Sequence, residues 1–105
     1  MALVHSGWVN QKTISAAVDQ AVKGLKPDVV RVRFSFGEDW SGDDAIFFRV
    51  VLSDLASADE VVGKVARRIA NQLEDAVKAD ELGLRAYFDY RSFSEQTSMG
   101  DLDWE

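Results

Sequence analysis

Residues 37–44 read Gly-Glu-Asp-Trp-Ser-Gly-Asp-Asp, with four carboxylates around one tryptophan. Clustered carboxylates suit two chemistries. They can ligate a hard divalent cation through oxygen, or they can act as paired acids, one of them kept protonated by burial. The helix-loop-helix calcium pattern alternates acidic ligands, places glycine sixth and closes on a glutamate at the twelfth position. Counted from Asp39, the third residue is Ser41, the fifth is Asp43, the sixth is Asp44 and the twelfth is Val50. Both the glycine and the closing glutamate are missing, so Asp39, Asp43 and Asp44 are weak metal candidates. On a solvent-facing turn nothing would hold one of them protonated, which disfavours acid–base work. Asp, Ser and Gly are also turn formers, and a hairpin connection accounts for all of these residues except Trp40.

Other catalytic groupings are absent from the sequence. His5 is the sole histidine, so a triad or a histidine-ligated metal cannot be assembled within one chain. There is no cysteine, which excludes disulfides and thiolate metal sites and favours a reducing cytoplasm. No phosphate-cradling glycine loop occurs, and no cofactor is indicated. With 105 residues, 47% hydrophobic and 29% charged, the composition is that of one globular domain. No apolar run approaches the roughly 20 residues of a membrane span. The first ten residues lack the pattern of a signal peptide; they read as a frayed end or as an extra strand through Leu3, Val4, Trp8 and Val9. The net charge of −6 argues against bulk attraction to nucleic acid.

The elements that position these groups follow from periodicity. Thr13 is placed to cap a first helix, and the stripe Ile14, Ala17, Val18, Ala21, Val22 and Leu25 after it, with its three- and four-residue steps, predicts that helix, ended by Gly24 and Pro27. Val30, Val32, Phe34 and Phe36 then alternate with Arg31, Arg33 and Ser35, a half-buried strand. After the acidic turn, Ile46, Phe48, Val50 and Leu52 alternate with Phe47, Arg49 and Val51, so the two strands form a hairpin. Ser57 to Glu60 has the capping-box spacing and opens a second amphipathic helix through Val62, Val65, Ala66, Ile69, Leu73, Ala76 and Val77, ending near Asp80. Residues 84–93 alternate again and give a third strand, placed beside the first and parallel to the second. The fold class is therefore α+β, a two-layer sandwich of α-β-β-α-β order. It has a three-stranded sheet with two helices on one face. Residues 1–93 form this single domain, and residues 94–105, without a period, read as an acidic flexible tail. The element order overlaps that of one type of KH domain, but the Gly-x-x-Gly turn that such a module uses on nucleic acid is missing. No residue role is carried over.

Two helices cover only one side of the sheet. The other side displays Arg31, Arg33, Phe47, Arg49, Val51, Arg85, Tyr87, Asp89, Arg91 and Phe93, five of the seven arginines and none of the five lysines. Arginine and aromatic residues are enriched at protein interfaces and lysine is depleted. The sequence thus predicts a small non-catalytic interaction protein, a subunit, adaptor or inhibitor/antitoxin-like partner. Its contacts would be Arg31, Arg33, Phe47, Arg49, Arg85, Tyr87, Arg91 and Phe93, with Trp40 as an anchor and the acidic tail, through Trp104, as a second contact that docks on a partner or lies on the chain's own arginine face. A homodimer through the same face is one form of this. The alternatives are a single-stranded nucleic-acid binder, with the aromatics stacking bases, and a metal-dependent enzyme built on Asp39, Asp43 and Asp44. No membrane contact is expected.

Overall fold

The computed structural model describes residues 11–105. His5 and the expected extra strand lie outside the described residues. Helix α1 spans Gln11–Leu25, strand β1 Val29–Glu38, strand β2 Asp44–Leu52, helix α2 Val62–Val77, strand β3 Arg85–Ser92 and helix α3 Phe93–Met99, followed by a 3-10 turn at Leu102–Trp104. The fold is α+β, with a mixed three-stranded sheet, and the α-β-β-α-β order stands, extended by α3. Among the described residues no helix is long and apolar enough to cross a membrane.

The core lies between the sheet and the two long helices. Ile14, Val18 and Leu25 of α1 and Ile69, Leu73 and Val77 of α2 close on Val29, Val32, Ile46, Phe48, Val50 and Leu52. Each set recurs at the spacing of its own element, and Ala86, Phe88 and Tyr90 of β3 pack against this core partly buried.

Strand β2 is central: it pairs antiparallel with β1 and parallel with β3. The expected position of the third strand beside the first is therefore corrected. The physical reason is in the composition of β2. Ala45 and Val51 are buried on one face, and Ile46, Phe48, Val50 and Leu52 on the other. A strand that is apolar on both faces belongs in the middle of a sheet, and α2 supplies the crossover that brings β3 in parallel to it.

Several boundaries also move. Thr13 lies inside α1 rather than capping it, and Gly24 stays helical, so the chain turns only after Leu25. Ser57 does not cap α2. Its hydroxyl donates to the Ser53 carbonyl within a series of turns, and α2 starts at Val62 with no side-chain cap. Among the described residues a capping box stands elsewhere, at Ser92 and Glu95. The Glu95 amide donates to Ser92 Oγ, and the Ser92 amide donates to the Glu95 carboxylate. That box ends β3 and starts α3, so Phe93 is the first helical residue and not a member of the sheet. Residues 94–105 are likewise not a periodless extension: they form α3, a left-handed turn at Gly100 (φ 63°) and the 3-10 turn.

Candidate functional site

Register fixes the outer face of the sheet in four rows. From one end they are Arg31–Val51–Arg91, Arg33–Arg49–Asp89, Ser35–Phe47–Tyr87 and Gly37–Ala45–Arg85. The alternation places all five sequence-predicted arginines, Phe47 and Tyr87 on this side, and the structure divides them into two halves.

The first half is covered from within. Residues 101–105 lie across it, and Trp104 is buried to 6% exposure. The Arg91 guanidinium sits 4.2 Å from the centroid of the Trp104 ring. It also donates to Gln96 Oε1 at 3.0 Å and reaches Asp101 Oδ2 at 3.4 Å. Arg49 Nε donates to the Asp103 carbonyl at 2.8 Å, and the same guanidinium donates to Ser35 Oγ at 3.1 Å. Arg31 faces the Glu105 carboxylate at 3.8 Å, and its Nε is buried without a hydrogen-bond partner. Gln96, 1% exposed, ties this layer together by donating to the Asp101 carbonyl and to Glu105. A cation over an indole in a desolvated setting is worth up to about 2 kcal/mol, so this is a specific seat and not a loose drape. Helix α3 is held from its other side as well: Ser94 donates to the Asp54 carboxylate through its amide (3.0 Å) and its hydroxyl (2.6 Å). Those two hydrogen bonds push the Asp54 carboxyl below its usual range.

The second half is open. The Phe47 and Tyr87 rings stack at 5.5 Å with an interplanar angle of 20°. Trp40 leans on Tyr87 at 5.3 Å and is itself 85% exposed. Phe47 fills the space above Gly37, where a Cβ would stand 3.4 Å from its ring. Arg33 lies exposed one row away. Arg85 pairs with Asp43 at 3.1 Å while staying well exposed.

The acidic turn sets this aromatic group in place. Asp39 Oδ1 accepts from the Ser41 amide (2.9 Å), the Ser41 hydroxyl (2.7 Å) and the Asp43 amide (3.0 Å). Its other oxygen accepts from the Tyr87 hydroxyl at 2.7 Å. The hydroxyls of Ser41 and Tyr87, then the two amides, hold the Asp39 carboxyl well below the usual carboxylate range despite its burial. The same hydrogen bond to Asp39, with burial, raises the Tyr87 phenol. Gly42 supplies the φ of 85° that the turn needs, and the Gly42 amide donates to the Asp39 carbonyl. Asp39 thus organises a hairpin turn and anchors an aromatic ring from β3. Among the described residues no group of three or more histidine, cysteine, aspartate or glutamate side chains is arranged to hold a metal ion.

Of the ten sequence-predicted contact residues, the structure brings Arg33, Phe47, Tyr87, Arg85 and Trp40 together on the open half. Arg31, Arg49, Arg91 and Trp104 meet on the covered half, and Phe93 is set apart on α3. Sequence reasoning missed Gln96, Asp39 as the partner of Tyr87, and the Ser92–Glu95 box. Only the box had a local signal, its serine-x-x-glutamate spacing. Comparison with family models, with curated proteins and with solved structures finds no match to this chain.

Proposed function

We propose that this chain is a non-catalytic interaction protein that engages a protein partner through the open half of its sheet face. The observation that carries the reading is Trp40. It stands 85% exposed against Tyr87 of the Tyr87–Phe47 stack, and the exposed cations Arg33 and Arg85 lie in the sheet rows on either side of that stack. Tryptophan, tyrosine and arginine are the residues that dominate binding energy at interfaces, and a side chain already held in place loses little entropy on contact. The acidic turn supports a rim around that anchor. A subunit, adaptor or antitoxin-like inhibitor fits the small acidic chain, a homodimer through the same face is the self-associating form, and the lack of cysteine supports a reducing compartment such as the cytoplasm.

The test is a comparison of the wild-type chain with Trp40→Ala/Arg33→Glu. Sedimentation reads self-association, and tagged capture from the native host reads a heterologous partner. The double variant should keep its circular dichroism spectrum and lose the complex, with at least a hundredfold loss of affinity once the partner is purified. A complex retained unchanged by the double variant, or a wild-type chain that stays a lone monomer, would sink the reading.

A further inference from the structure

The covered half shows what chemistry its arginines hold, because residues 101–105 of the same chain are seated there. Four features of residues 101–105 are read at once. The indole of Trp104 lies against the Arg91 guanidinium. The Asp103 carbonyl accepts from Arg49, so a peptide backbone is recognised as such. The Asp101 carboxylate faces Arg91 and the Glu105 carboxylate faces Arg31. The seat itself is built from all three strands, with Val51 as its apolar floor. Arg31 keeps a buried Nε with no hydrogen-bond partner, so the segment does not use all the donors of the seat. Only a short connection through Gly100 joins the segment to α3, and Leu102 within it points outward at 84% exposure.

We infer that the Arg31–Arg49–Arg91 seat is a recognition site for an acidic peptide carrying a tryptophan, and that residues 101–105 occupy it as an internal competitor. The partner class is a protein segment of the form acidic-x-acidic-Trp-acidic, which makes the same contacts in trans. A segment of that chemistry must displace the resident one, so its apparent affinity is reduced by the fraction of molecules in which the seat is vacant. This rests on the reading of the sheet face as a protein-binding surface and gives the covered half a ligand class of its own.

The experiment uses the full 105-residue chain. A fluorescein-labelled peptide of sequence Gly-Asp-Leu-Asp-Trp-Glu is titrated by anisotropy against wild type, Trp104→Ala, and Trp104→Ala combined with Arg49→Gln. Trp104→Ala empties the seat, so it should bind the peptide at least tenfold more tightly than wild type, and adding Arg49→Gln should remove at least tenfold of that affinity. Should Trp104→Ala fail to fold, Asp101→Asn/Glu105→Gln loosens the segment while keeping its indole, and the same gain is expected there. No binding to a folded, loosened variant at millimolar peptide overturns the inference, as does binding indifferent to Arg49→Gln. Tighter binding of a hexameric deoxythymidine oligonucleotide than of the peptide overturns it too, in favour of a phosphate ligand. Trp40→Ala should leave peptide binding unchanged. If the peptide fails while partner capture still depends on Trp40, the inference falls and the open-half reading stands.

Discussion

Two segments of this chain have nearly the same composition and opposite fates. Residues 37–44 and residues 101–105 each set one tryptophan among carboxylates. Trp40 is 85% exposed and Trp104 is 6% exposed. The difference lies in where the carboxylates point. In the hairpin turn, one Asp39 oxygen is engaged by the turn's own amides and hydroxyl, and Tyr87 and Arg85 of β3 hold Asp39 and Asp43 from outside, so the loop is fixed with its indole outward. In residues 101–105, Asp101, Glu105 and the Asp103 carbonyl look to arginines on three different strands, and the indole is carried down with them. An acidic segment with a tryptophan is therefore not one kind of object: a turn whose carboxylate binds its own amides presents the ring, and a segment whose Asp101 and Glu105 carboxylates face the arginines of the sheet buries it.

Three substitutions sharpen the contrast. Trp104→Ala should have the largest effect, a loss of about 3 kcal/mol in chemical denaturation, since truncating a buried tryptophan removes its packing and leaves Arg91 without its ring. A loss under about 0.5 kcal/mol, the size of an ordinary surface change, would mean that the segment is not held as described.

Asp39→Asn should be smaller and dependent on pH. Because the carboxyl is held below its ordinary value of 3.8, its ionised form contributes stability that is present above that value and lost as pH falls below it. The variant should melt at a lower temperature than wild type at pH 7, and the gap should narrow below about pH 4. A gap independent of pH from 7 to 2.5 would show that the charge plays no part. Trp40→Ala should be the smallest, within about 0.5 kcal/mol of wild type, because the ring is mostly in water; a cost above 2 kcal/mol would make it a structural residue and not a presented one.

How much of this was legible in the sequence depends on how local the determinants are. The strand alternation that puts Arg31, Arg33, Arg49, Arg85 and Arg91 on one face repeats every second residue and needs no tertiary knowledge. The central place of β2 was also written in its residues, apolar on both faces, although alternation alone does not reveal which neighbour a third strand chooses. Helix α3 was hidden for a different reason. It has seven residues, and its one buried side chain is Gln96, so no apolar stripe announces it. The arginine face was one of the places open to the tail from sequence, but its contacts join residues as distant as Arg31 and Glu105, or Arg49 and Asp103 with 54 positions between them, so no local window selects it. The Asp39–Tyr87 bond spans 48 positions and is equally invisible.

That 54-residue span also sets an order of events. The seat for Trp104 does not exist until β1, β2 and β3 are in register, so docking of residues 101–105 follows the assembly of the sheet. Contacts made after the rate-limiting step leave the folding rate unchanged and slow the reverse reaction. With docking placed after that step, the segment acts as a latch on the native state, and the expected outcome is that Trp104→Ala speeds unfolding while leaving the folding rate unchanged in stopped-flow kinetics.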